Sequence, residues 1–260
     1  MVKAALRLYD AHIHLTDREY TDYIGQIVTG LRAMNIVACS VTVDTDTALR
    51  SFSLFNQHRD VVKQFVGIHP EAAAKDDIGR FREIFRDNLK YIDGVGEIGL
   101  DGTYAEKGIA PLSRQNEVFR VMLELAESAG RPVSIHSRKA LDDILEILPS
   151  YRLRGTLLHW FAGSKKQLAR STDMGLYVSY GPVLVYSEEK RVLLKNTPSD
   201  RFLVETDGPV RYARCFESLP AMSNSFMVSV VSAASSVLGL SYNETCELIE
   251  ANTSAYLAVS

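Results

Sequence analysis

Ala4-Ala5-Leu6-Arg7-Leu8-Tyr9, followed at once by Asp10-Ala11-His12-Ile13-His14, is the stretch whose reading decides the fold. The apolar run from Ala4 to Tyr9 reads as a first strand. Residues two apart on a strand share a face, so His12 and His14 point the same way, and Asp10 with them. Neutral imidazole is the commonest nitrogen ligand of divalent metals, and two imidazoles side by side at a strand end suit one. A strand end that is merely polar is the competing reading, and this motif by itself does not choose between them.

Outward from that strand, strand and helix signals alternate to the end of the chain. Val37–Val43, Gln64–Ile68, Ile92–Ile98, Pro132–His136, Thr156–His159, Leu176–Ser179 and Phe202–Thr206 bring the strands to eight. None alternates cleanly between apolar and polar residues, as expected of strands buried on both faces of a parallel sheet. Helical patterns lie between them at Asp22–Met34, Thr47–His58, Ile78–Tyr91, Arg114–Ala129, Lys139–Leu148, Lys165–Met174 and Glu188–Lys195. Two more, near 222–238 and 242–257, close the chain on either side of Gly239. With no linker and no low-complexity stretch, residues 1–260 read as one α/β domain. A single (β/α)8 TIM barrel is the economical closure, and a doubly wound open sheet is the alternative.

The histidines favour the barrel. His12 and His14 close strand one, His69 follows strand three, His136 closes strand five and His159 closes strand six. Only His58 lies elsewhere, at a helix end, where it reads as solvated surface. The C-terminal strand ends of a barrel form one rim, and active sites sit there. Glu97 ends strand four and Asp207 ends strand eight. Each carboxylate alone reads equally as a cap, a turn residue or an ion-pair partner. Together with four rim histidines they need a common cause, and packing supplies none, because unpaired polar groups inside a barrel mouth are costly. Metal binding does. Six ligand-type side chains exceed one tetrahedral site and suit two metals about 3.5–4 Å apart with a bridging carboxylate. Glu97, on the middle strand, is the expected bridge. His12, His14 and Asp207 come from neighbouring strands once the barrel closes, and His136 and His159 from strands five and six.

Composition excludes other classes. Twenty-nine basic against 32 acidic residues, a net charge of −3 and no long basic run argue against a protein that coats duplex DNA. Three scattered cysteines, Cys39, Cys215 and Cys246, make no C-x-x-C pair and no disulfide framework. Met1 to Asp10 has no charged-then-apolar signal layout, and no apolar stretch reaches the length of a membrane span. A cytoplasmic protein without a membrane partner is expected, as a monomer or weak homo-oligomer.

DAHIH at 10–14, GIHP at 67–70, GEIGLD at 96–101, RQNEVF at 114–119, PVSIHSR at 132–138, LHWF at 158–161 and ETDGP at 205–209, in this order, resemble the TatD family of metal-dependent deoxyribonucleases within the amidohydrolase superfamily. The resemblance spans nearly the whole chain. It implies a barrel with two divalent ions, Zn, Mn or Mg. One would be held by His12, His14, Glu97 and Asp207, the other by Glu97, His136 and His159. It also implies that Asp207 orients and deprotonates the attacking water, and that His69 and Arg138 lie near the substrate phosphate. Glu205 looks like support for the ligands or a plain strand-end carboxylate, and Gln115 looks structural. The implied activity is exonuclease-type hydrolysis at DNA strand ends, or of another phosphodiester.

Three places depart from the family pattern. Trp160 stands where Cys usually follows the strand-six histidine, either to fill a gap or to stack on a base. GTYAEKGIAP, after Asp101, lacks the usual run of aromatics. Ser218-Leu219-Pro220-Ala221 replaces the common Asn-Glu-Pro, leaving Arg211 and Arg214 nearby as phosphate contacts or surface charges. No departure touches an implied metal ligand, so they bear on substrate. A small ester, amide or lactone is therefore the alternative substrate on the same barrel. A metal-stabilised protein without catalysis fits poorly, because every implied ligand is present.

Overall fold

The computed structural model describes residues 6–212, 214 and 220–258. Eight parallel strands lie in sequence order: β1 Leu8–Ile13, β2 Ile36–Val41, β3 Val62–Val66, β4 Gly94–Gly99, β5 Val133–His136, β6 Thr156–Leu158, β7 Tyr177–Tyr180 and β8 Phe202–Val204. Among the described residues ten α-helices accompany them: α1 Ile24–Ala33, α2 Thr45–Phe55, α3 Ile78–Asp87, α4 Gly102–Glu106, α5 Leu112–Ala129, α6 Leu141–Ile147, α7 Lys165–Asp173, α8 Glu188–Lys195, α9 Ser223–Leu238 and α10 Tyr242–Leu257. This is the expected (β/α)8 TIM barrel, not the open sheet.

Alternate strand residues explain why no strand showed a polar face. Ala38, Val66, Leu158, Val178 and Val204 face the helices, in one large core. Their neighbours Cys39, Phe65, Leu157, Tyr177 and Leu203 join Ala11 and Tyr256 in a second cluster, which fills the barrel interior. Tyr256 enters from α10 and donates to the Val133 carbonyl oxygen at 3.0 Å.

The seam between β1 and β8 is tied at the level of the histidine motif. The Asp207 amide donates to the His12 carbonyl at 2.9 Å, and the His14 amide to the Gly208 carbonyl at 2.8 Å. Asp10 completes the tie. Its Oδ1 accepts from the Thr206 amide at 2.9 Å, and its Oδ2 from the hydroxyls of Thr206 and Ser223 at 2.5 and 2.7 Å. This corrects the expectation that Asp10 shares the face of His12 and His14. The β1–β2 register shifts between Asp10 and Ile13, which breaks the strict alternation and sends the Asp10 carboxylate to α9 instead.

Element ends follow local chemistry. Asp44 and Ser164 cap α2 and α7 with reciprocal capping boxes, and Gly130, at φ 59°, ends α5. β1 runs from Leu8 to Ile13, so it takes in Asp10 and His12, and His14 follows its end; Ala4 and Ala5 lie outside the described residues. The short α4 was not expected: it is five residues begun by Asp101, too few to show a period. His58 is half-buried and bonded through Nδ1 to the Arg32 guanidinium at 3.0 Å, a correction to its reading as solvated. Among the described residues no single helix is long and apolar enough to cross a membrane.

Candidate metal centre

Six of the expected residues converge at the C-terminal mouth of the barrel. His12 and His14 arrive on and just beyond β1, Glu97 on β4, His136 on β5, His159 after β6 and Asp207 after β8. His12, Glu97, His159 and Asp207 are buried, while His14 and His136 are half-buried. Gly99 allows this closeness on β4. It sits at φ 142°, and a Cβ there would run into the His136 carbonyl.

Nε2 of His12, Nε2 of His14, Oε2 of Glu97 and Oδ1 of Asp207 form one group. The two imidazole nitrogens are 3.4 Å apart. His12 lies 3.4 Å from Glu97 and 3.6 Å from Asp207, and His14 lies 3.2 and 3.3 Å from the same two. Nitrogen and oxygen ligands about 2.0–2.1 Å from a tetrahedral metal stand about 3.3–3.4 Å from one another. His12, His14 and Glu97 are therefore spaced as ligands of a small divalent ion, and Asp207 approaches both histidines at similar distances.

The other oxygen of Glu97 faces a second group. Its Oε1 lies 2.8 Å from His136 Nδ1, 2.8 Å from His159 Nε2 and 3.4 Å from His69 Nε2. The two carboxylate oxygens of one side chain thus divide the histidines between them. His12–His14–Glu97 and His69–Glu97–His136 are each close enough to hold an ion.

Two of the histidines, His12 and His136, present the nitrogen a metal needs because their other nitrogen is held. His12 Nδ1 lies 2.8 Å from the Ser134 hydroxyl. His136 Nε2 lies 2.7 Å from Asp101 Oδ2, a carboxylate–histidine pairing that orients the ring and raises its basicity as a ligand. Asp101 is held in turn by Gln115, whose Oε1 accepts from the Asp101 amide at 2.7 Å and whose Nε2 donates to the Asp101 carbonyl at 3.1 Å. Gln115 is structural, as its position implied. His159 Nδ1 is buried with no hydrogen-bond partner, 4.0 Å from Glu205 Oε2. Glu205 itself accepts from the Ser179 hydroxyl at 2.5 Å and the Trp160 amide at 2.8 Å. Sequence reading missed the roles of Asp101 and Ser134. Asp101 was visible inside GEIGLD, and Ser134 two residues before His136, but no signal told which nitrogen of a ring each would meet.

Within the cluster the ionisable groups are driven apart in pKa. Burial opposes charge on His14, yet hydrogen bonds to Asp207 and Glu97 outweigh it and lift its pKa to about 10. Burial likewise opposes charge on His136, and its bonds to Asp101 and Glu97 lift it to about 9. His12, buried and stacked 3.8 Å from the His159 ring, is pushed down to about 4 by burial and by that neighbour's charge. Glu97 stays well below its ordinary value: burial works against ionisation, but the surrounding histidines prevail. Burial drives Glu205 up to about 8.

A cavity of about 1410 Å³ opens over the cluster. His69 reaches it from the segment after β3, and its ring meets Tyr104 edge-on at 5.8 Å. Arg138 is half-exposed on its wall, with Nε 2.8 Å from Asp101 Oδ2 and the guanidinium 5.1 Å from the Tyr104 ring centre. Trp160 lines the cavity and also stacks on Tyr212 at 5.6 Å. Arg211 pairs with Glu19, and Arg214 lies 5.9 Å from the Tyr186 ring. Cys215, Ser218 and Leu219 lie outside the described residues.

Known proteins resemble the chain in sequence and in fold. The family model described as TatD related DNase matches residues 9–258. The metal-dependent hydrolase YabD of Bacillus subtilis, itself uncharacterized, is 28% identical over 210 residues, covering 78% of this chain and 80% of that protein. A protein of Edwardsiella piscicida named 3'-5' ssDNA/RNA exonuclease TatD is 28% identical over 231 residues, covering 82% of this chain and 84% of its own. Among solved structures, the TatD homolog YjjV of Escherichia coli superposes with a TM-score of 0.88 at 21% identity, covering 98% of this chain and all of that one. The chain belongs to the TatD-related DNase family of metal-dependent hydrolases.

Proposed function

We propose that residues 1–260 act as one hydrolase domain that removes nucleotides from the ends of DNA strands, using two divalent ions, Zn, Mn or Mg. The observation that carries this reading is Glu97: its Oε2 faces His12 and His14 while its Oε1 faces His136 and His159. His12, His14, Glu97 and Asp207 would hold one ion, and Glu97, His136 and His159 the other. Bound there, the ions would make hydroxide available near neutral pH and offset charge on a phosphoryl group. Asp207 takes the proton of the attacking water and aims it, and Glu97 fixes the spacing of the two ligand groups. His69 and Arg138 hold the non-bridging phosphate oxygens. The name of the Edwardsiella relative, an exonuclease on single-stranded DNA and RNA, supports the substrate class. The free, buried Cys39 and Cys246 suit a reducing cytoplasm.

A second reading keeps the ions and exchanges the substrate for a small ester, amide or lactone. It is favoured by the charges of the cavity wall. Arg138 is paired with Asp101, Lys139 with Glu106 and Arg211 with Glu19, so the wall offers a long polyanion little unpaired positive charge.

Release of nucleotides from an end-labelled single-stranded DNA separates the two. Metal-stripped protein is refilled with Mg, Mn or Zn and compared with Glu97→Ala. Metal-dependent trimming that disappears in the variant supports the nuclease. No trimming under any ion, with turnover of a small ester, overturns it in favour of the second reading.

A further inference from the structure

We propose that Trp160 is a stacking platform for the terminal nucleobase, so that the enzyme reads the base as well as the phosphate at a strand end. This rests on the nuclease reading of the same site.

Trp160 directly follows His159 and stands on the wall of the cavity above the ligand cluster, together with Asp207. It is the only tryptophan of the chain. Its backbone sits at φ 42°, a conformation that a bulky residue rarely adopts. Two hydrogen bonds enforce it: the Trp160 amide donates to Glu205 Oε1 at 2.8 Å and to the Ser179 hydroxyl at 3.2 Å. Such conformations persist where the surroundings over-determine them, and they concentrate at functional sites. On one side the indole is braced by Tyr212, 5.6 Å away and inclined by 30°, which itself packs on Phe226. The residue nonetheless keeps part of its surface open and lines the cavity. A residue present merely to fill a gap would be covered on both sides. Here a rigid aromatic surface is left on the cavity wall, one residue from a ligand-type histidine.

A rigid aromatic beside the reacting phosphate recognises any base by its π-face, at low cost in conformational entropy. Positive charge is not required for this contact, which suits a wall whose cations are already paired. The chemistry selects a nucleoside phosphate, and a ribose phosphate without a base makes no such contact.

The test uses the metal-loaded enzyme and two single-stranded oligonucleotides, one ordinary and one with abasic residues at both ends. The wild type is expected to trim the ordinary strand at least about 5-fold better in kcat/KM. Trp160→Leu brings that ratio to about 1, the loss falling mainly on the ordinary strand. Trp160→Phe restores part of the ratio. Because Trp160 is the sole tryptophan, dAMP quenches the intrinsic fluorescence of the wild type and 2-deoxyribose 5-phosphate does not. Trimming with an equal loss for both strands in Trp160→Leu, or a fluorescence indifferent to dAMP, overturns the stacking role and leaves the nuclease reading standing. Absence of trimming of either strand, with turnover of a small ester, removes both.

Discussion

His136 Nε2 lies 2.7 Å from Asp101 Oδ2, and this contact fixes which face of the imidazole is offered to Glu97. With its Nε2 proton held by Asp101, the ring keeps the Nδ1 lone pair for a metal. Asp101→Asn keeps the Oδ1 acceptor that caps α4 through the amides of Thr103 and Tyr104. Its new amide group, however, meets the ring with a donor and favours the wrong tautomer. Metal affinity at the His136 group is expected to fall by about 10–100-fold, with little loss of fold stability. Titration of the stripped variant with Zn or Mn checks it; an unchanged affinity would show that Asp101 serves only as a helix cap.

Metal uptake should release protons. In the stripped protein His14 and His136 titrate near 10 and 9, so both are charged at pH 7 and must lose a proton to become ligands. Affinity therefore rises with pH between 7 and 9, and at least two protons, one from each of these rings, leave as both groups fill. Calorimetry in two buffers of different ionisation heat counts them. The stripped fold behaves in the opposite sense. Folded pKa values raised above the unfolded value of 6.5 give a stabilisation that is full below 6.5, shrinks above it and is lost by about pH 10.

The barrel and its rim were legible because each strand is a short apolar run, and the six expected ligands stand at the ends of such runs. The supporting shell was not. Whether Asp101 meets His136 or the solvent depends on ring orientation, which no spacing encodes. Asp10 shows the same limit: two residues before His12, it belongs by strand period beside the ligands. A one-residue register shift against β2 sends it to Thr206 and Ser223.

That displaced carboxylate yields its own prediction. Asp10 accepts four hydrogen bonds at the seam, from the Thr206 amide and hydroxyl, the Ser223 hydroxyl and the His12 amide. Asp10→Ala strands those buried donors and should cost about 2–4 kcal/mol in urea unfolding. Asp10→Asn keeps one acceptor oxygen, and the two hydroxyls can turn to accept from its amide. Burial raises the Asp10 pKa to about 6, so its contribution is full below 3.8 and is lost as pH rises through 6. The asparagine variant, which does not titrate, should therefore gain on the wild type between pH 4 and 7.

Asp207→Asn isolates proton transfer from ligation. Asp207 sits at φ 50°, a left-handed conformation that asparagine tolerates better than most residues, so the backbone can stay in place. The amide oxygen can still occupy the position of Oδ1, 3.3 Å from His14 Nε2, as a weaker ligand. It cannot take a proton. Metal content should fall only in part, while turnover of the preferred substrate drops by about 10²–10⁴. Single-turnover rates measured at saturating metal separate the two effects. A variant that retains near-normal rates once metal is saturating would remove Asp207 as the base and leave it a ligand alone.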